Sequence, residues 1–131
     1  MILKTYLAVM GGGAVGTGLR MWLSGLLAAK VGETFPVGTL VVNVSGSFVI
    51  SFFAGLVGPD GPLLVSPLAR QVVMVGILGG YTTFSSFSFQ TLNLLNDGQW
   101  ARGSANIILS VGLCLLAVWL GQIVSHALTQ R

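Results

Sequence analysis

The sequence predicts an all-α membrane protein of four transmembrane helices, the third of them broken, assembled as an antiparallel, dual-topology homodimer. Composition is the first reason. Of 131 residues, 53% are hydrophobic and only 7% charged, and the mean hydropathy is +0.89, whereas a soluble domain carries about a quarter charged residues. The second is that four apolar windows, about 6–27, 37–57, 72–95 and 105–127, each reach the roughly 20 residues that a spanning helix needs. The third is that lysine and arginine barely distinguish the two sides. The short connections leave no room for an extramembrane domain, so residues 1–131 read as a single four-helix transmembrane domain whose function resides within the bilayer.

In span 1, Lys4 ahead of an apolar run resembles the start of a signal peptide, but Arg20 interrupts the run and three more spans follow, so the segment reads as a transmembrane helix. Gly12, Gly16, Arg20 and Ser24 share one face. The glycines fit close helix packing of the small-xxx-small kind. Arg20 is the sole basic residue well inside a span. It either snorkels to the interface or draws anions toward a vestibule. The connection that follows holds Lys30, Gly32, Glu33 and Pro36, all suited to a turn or a membrane surface.

Span 2 carries Asn43, Ser47 and Ser51 at helical spacing on one face, and ends at Gly58, Pro59, Asp60, Gly61 and Pro62. Span 4, entered through Asn96, Asp97 and Gly98, repeats the spacing with Asn106, Ser110 and Cys114. Hydroxyls and small side chains suit helix packing. Polar groups within spans also mark ion or substrate pathways, and a buried asparagine amide has two donors and an acceptor to satisfy.

Span 3 contains the unusual segment, Gly79-Gly80-Tyr81-Thr82-Thr83-Phe84-Ser85-Ser86-Phe87-Ser88. Adjacent glycines and a Tyr-Thr-Thr run weaken a helix. Backbone freed by a break at that depth survives only when buried in protein or lining a cavity, and broken spans of transport proteins present such groups to ions. Beyond the break, Phe84 and Phe87 fall on one face, with Ser85 and Ser88 on an adjoining one.

With four spans, Lys4, Arg70 and Arg131 lie on one side, and Lys30 and Arg102 on the other, joined by Arg20 if it is counted. Orientation follows lysine and arginine bias in short loops, and a near-tie permits insertion both ways. An antiparallel dimer is then a two-chain version of an inverted repeat.

The acids separate transport classes. Glu33, Asp60 and Asp97 all fall in connections or at helix ends. A proton-coupled exporter needs a carboxylate in the membrane core, and a passive pathway does not. Hydroxyl hydrogens, an asparagine amide and the electropositive edges of phenyl rings can all face an anion and replace its hydration without trapping it. An enzyme is not expected: His126 sits at the end of span 4 without a nucleophile motif, and Cys114, the one cysteine, excludes an intrachain disulfide. No basic surface suggests nucleic acid.

The decapeptide resembles the signature of the CrcB/Fluc fluoride channels. Gly11-Gly12-Gly13-Ala14-Val15-Gly16 leading to Leu19-Arg20, and Gly38-Thr39-Leu40-Val41-Val42-Asn43, agree with it, so that the resemblance covers essentially the whole chain. It implies a multi-pass protein of the cell (inner or plasma) membrane that exports cytoplasmic fluoride, a toxic ion that enters as the neutral acid and dissociates inside. It further implies a dual-topology homodimer with two antiparallel fluoride pores. A structural Na+ would lie on the two-fold axis, held by the backbone carbonyls of Gly79 and Thr82 from each chain. Fluoride would pass the ring edges of Phe84 and Phe87 with the Asn43 amide nearby, then Ser85, Ser110 and Cys114, with Arg20 at the vestibule. Cys114 stands where relatives often carry a hydroxyl, and Val118 is apolar where the track continues as threonine; Asn106 is a candidate for its other end. The alternative is a small dual-topology transporter subunit or an assembly protein whose polar stripes only pack.

Overall fold

The computed structural model describes residues 1–130; Arg131, counted above among the charges, lies outside the described residues. The regular elements among the described residues are all helical, with no strand. Helix α1 (Ile2–Val31) extends beyond the 6–27 window at both ends. It stops at Gly32, whose φ of 90° is a backbone conformation that favours glycine. Helix α2 (Val37–Val57) follows Pro36. Helix α3 (Pro67–Gln71) starts on a proline and is capped by Ser66, whose Oγ accepts from the Ala69 N–H at 3.1 Å. A π-helical stretch, Val72–Ile77, leads into α4 (Leu78–Tyr81). Helix α5 (Phe84–Asn96) resumes after two residues, and α6 (Trp100–Thr129) completes the chain.

Three units are long and apolar enough to cross a membrane: Val37–Val57, Pro67–Asn96 taken together, and Trp100–Thr129. In α1 the glycines at 11, 12, 13, 16, 18 and 25, together with Arg20, dilute the apolar content.

Two close pairings organise the bundle. Helix α2 lies along α6, and α1 lies along the π-helical stretch and α4. The second pairing is a backbone-to-backbone contact made possible by missing side chains. A Cβ on Gly12 would stand 2.8 Å from the Val72 carbonyl oxygen, one on Gly76 2.7 Å from that of Val9, and one on Gly16 would collide with the Ile77 carbonyl. In the first pairing, Gly121 approaches the Phe48 carbonyl, where a Cβ would stand 2.5 Å away. Small residues thus set these helix separations, as expected where lipid removes the hydrophobic drive for association.

The buried residues include Val42, Leu78 and Phe87, but also Thr91, Asn106, Ser110 and Ser125. Many large apolar side chains, among them Trp22, Phe89, Ile108 and Trp119, point outward. That inversion suits a lipid solvent.

Candidate functional site

The helical ladder is interrupted at Thr82 (φ −84°, ψ 157°) and Thr83 (φ −152°, ψ 118°), both extended. Gly79 and Gly80, expected from the sequence to belong to the weakened stretch, remain helical. Gly80 serves a different purpose: a Cβ there would stand 2.5 Å from the Gly13 carbonyl of α1. The extended conformation falls instead on the two β-branched residues, for which it is favourable.

Asn43, from the middle of α2, holds the interruption open. Its Nδ2 donates to the Thr83 carbonyl at 2.9 Å, and its Oδ1 accepts from the Thr83 N–H at 2.7 Å. In a continuous helix that N–H would bond the carbonyl of Gly79. The Ser86 N–H, which would bond the Thr82 carbonyl, goes to Thr83 Oγ1 at 3.2 Å. The carbonyls of Gly79 and Thr82 thus have their helical donors diverted to side chains, and those of Gly80 and Tyr81 lose theirs at the break itself. Thr83 acts as the N-cap of α5.

Beside the interruption lies a cavity of about 350 Å³ lined by Asn43, Gly79, Thr82, Phe84, Phe87, Ser110 and Cys114, with Ser47, Gly46 and several aliphatic side chains completing its wall. No carboxylate, lysine, arginine or histidine lines it. Phe87 is buried and Phe84 is 76% exposed; their rings meet at 5.3 Å with a 54° tilt, and both line the cavity.

The amide of Asn43 spends one N–H on Thr83 and keeps a second. Ser47 donates to the Asn43 carbonyl at 2.7 Å. Ser110 donates to Asn106 Oδ1 at 3.3 Å, a long bond that leaves the hydroxyl able to turn. Asn106, 1% exposed, donates in turn to Thr91 Oγ1 at 2.9 Å, and Thr91 donates to the Phe87 carbonyl at 2.7 Å. A relay of hydrogen bonds thus ties α6 to the helix that carries both phenylalanines. The spacing of Asn106 and Ser110 flagged half of this relay. Thr91, one turn beyond Phe87, was missed because a lone threonine among leucines carries no distinctive pattern.

Two of the sequence-predicted residues lie apart from this cavity. Ser85 is exposed, 3.4 Å from Thr83 Oγ1. Arg20 lines a neighbouring cavity of about 310 Å³ with Ser24, Thr39, Thr83, Ser86 and Gln90. Thr83 lines both cavities. Gln90 Oε1 is buried there without a hydrogen-bond partner.

These features define a multi-pass helical membrane protein with an uncharged, largely apolar cavity, punctuated by a few polar groups, beside a helix interruption. Residues 7–122 match the family described as CrcB-like protein, Camphor Resistance (CrcB). The chain belongs to the CrcB-like family. It is 57% identical over 126 residues to a protein of Opitutus terrae named fluoride-specific ion channel FluC, covering 96% of each chain. A protein of the same name from Rhodospirillum rubrum is 57% identical over 119 residues, 91% of this chain and 92% of that one. A Brucella suis relative, fluoride-specific ion channel FluC 3, is 46% identical over 121 residues, 92% of this chain and 91% of its own. The names are those of ion channels and not of enzymes.

Proposed function

We propose that this chain is the subunit of a fluoride-selective passive channel that exports cytoplasmic fluoride across the cell membrane. The observation that carries the reading is the meeting of Asn43, Phe84, Phe87, Ser110 and Cys114 on one uncharged cavity beside the interruption, in a chain whose relatives are named for fluoride.

The cavity's chemistry suits a small anion in transit. The second Asn43 N–H, the phenyl edges and, after rotation, the Ser110 hydroxyl supply weak neutral donors that replace hydration. None is a fixed charge that would hold the ion, and conduction requires departure as well as entry. Ser85 belongs to the approach, where its exposure leaves its hydroxyl accessible. Arg20, behind the Thr83 wall, raises the local anion concentration at the vestibule.

The working unit in this reading is an antiparallel homodimer of four-span subunits, α1 included, with the third span broken at Thr82–Thr83. The exposed Phe84 ring on the cavity wall favours a second chain as its cover. Two-fold symmetry then gives two antiparallel paths. The carbonyls of Gly79 and Thr82, released by the diverted N–H groups, fit a hard cation such as Na+: two from each chain would hold it at the axis, as unwound carbonyls hold Na+ in broken spans. The bound ion would supply charge to oppose the four carbonyl dipoles. Prolonged exchange of sodium for a large organic cation is expected to lower the thermal stability of the dimer, and indifference to the exchange would remove the ion from this account.

Growth tests the function. Expression in bacteria that lack a fluoride exporter is expected to restore growth in fluoride-containing medium, and membrane-inserted protein without rescue would contradict the proposal.

A further inference from the structure

Tyr81 closes α4 immediately before the interruption, and its hydroxyl meets Ser45 Oγ of α2 at 2.8 Å. Ser45 gives its one hydrogen to the Val42 carbonyl at 3.1 Å, so the tyrosine is the donor. Neither residue lines the cavity at the interruption, whereas Thr82, between Tyr81 and Thr83, does. At about 100° per residue, Asn43 and Ser45 project to nearly opposite sides of α2, with Gly46 in the arc between them. The Tyr81 ring crosses that arc. A Cβ on Gly46 would stand 3.1 Å from Tyr81 Cδ1 and would collide with Thr82 Cγ2.

The Thr82 methyl therefore lies over the bare backbone of Gly46 while both of its neighbours are tied to α2. Thr83 is held through its backbone by Asn43 on one flank, and Tyr81 through its hydroxyl by Ser45 on the other. Thr82 itself turns inward: its N–H and its hydroxyl both donate to the Leu78 carbonyl, at 3.0 and 2.9 Å. The Thr82 carbonyl shares one peptide plane with the Thr83 N–H. Asn43 grips that plane at its N–H end. The other end hangs from α4, a single turn between a π-helical stretch and two extended residues, and one turn gains little from its own hydrogen bonds.

We propose that Tyr81 is a positioning residue for the cation site: its bond to Ser45 pins the last turn of α4 to α2 and so aims the Gly79 and Thr82 carbonyls. The inference rests on the reading that these carbonyls hold a hard cation, and adds to it the pair that orients them. Affinity for such an ion follows the field that the carbonyl dipoles present, so a turn free to swing away from α2 weakens the site without removing a ligand.

The test is the thermal unfolding midpoint of the purified dimer as sodium replaces a large organic cation, after prolonged exchange and at constant ionic strength. The wild-type midpoint is expected to climb once sodium exceeds its dissociation constant. Tyr81→Phe keeps the ring over Gly46 and removes only the hydroxyl. The onset of the climb is expected to move about fivefold or more to higher sodium, the factor equivalent to one net hydrogen bond. Ser45→Ala breaks the same bond from the other side, and it and the double variant are expected to show the same displacement; Ser45→Thr, which restores a hydroxyl, follows the wild-type curve. A Tyr81→Phe dimer whose onset stays at the wild-type sodium concentration, even with its midpoint lowered equally throughout, would reduce the bond to packing and overturn the assignment. Displacements that add in the double variant would overturn it too, and both results leave the cation site standing. A wild-type dimer indifferent to sodium would overturn the cation reading and this inference together.

Discussion

The Asn43 side chain and the Thr83 backbone form a two-bond clasp, Nδ2 to the carbonyl at 2.9 Å and the N–H to Oδ1 at 2.7 Å. A side-chain amide here does what a neighbouring strand does for an extended residue. It satisfies both backbone groups of Thr83 where the helical ladder does not, and by taking that N–H it leaves the Gly79 carbonyl without its helical donor.

Asn43→Leu removes both bonds at similar volume. Each stranded backbone group costs about 1–3 kcal/mol, so the purified dimer is expected to unfold at lower temperature and fluoride efflux to fall on the order of tenfold or more. Unchanged unfolding and efflux would show that the clasp is dispensable.

Glycine positions on α1 separate by what faces them. Gly16→Ala drives a methyl into the Ile77 carbonyl, whereas Gly18 has nothing within 4 Å of a built Cβ. Overpacking of this kind costs about 1–3 kcal/mol or more, so Gly16→Ala is expected to lower the yield of folded dimer and its melting temperature, while Gly18→Ala matches the wild type in both. Equal tolerance at the two positions would contradict the packing of α1 against the π-helical stretch.

The two phenylalanines are expected to part company in stability but not in transport. Phe84 is 76% exposed in the subunit and Phe87 only 7%. Phe84→Ile leaves the subunit's own core intact and removes a ring edge from the cavity, so efflux falls on the order of tenfold without dimer dissociation. Phe87→Ile loses efflux and also stability, by about 1–3 kcal/mol for a reshaped core. Wild-type efflux in both variants would take the rings out of the path.

Cys114 is a free thiol on the cavity wall. A small thiol-reactive reagent that reaches it fills space that the anion needs, and efflux is expected to fall in step with labelling measured by mass spectrometry. Cys114→Ser conducts and resists the reagent. Full labelling with undiminished efflux would place the path elsewhere.

Much of this was legible in the sequence because membrane depth makes polar residues conspicuous. Asn43, Ser110 and Cys114 stand out of apolar runs at helical spacing, whereas the part of Phe84 and Phe87 was what the family resemblance implied; all five line one cavity. The site of the break was legible only to within a few residues. Glycine weakens an isolated helix, yet Gly79 and Gly80 stay helical, with Gly80 packed against Gly13 of α1. That contact is tertiary and leaves no local signature. The clasp was likewise out of reach, since Asn43 and Thr83 are forty residues apart.

The most direct test of the central claim is efflux from liposomes that carry the purified dimer and are loaded with fluoride or, separately, with chloride. The account predicts rapid release of fluoride on addition of a potassium ionophore to balance charge, with chloride retained as in protein-free vesicles. Fluoride retained as in protein-free vesicles, with an intact dimer in the membrane, or chloride released as fast as fluoride, would contradict it.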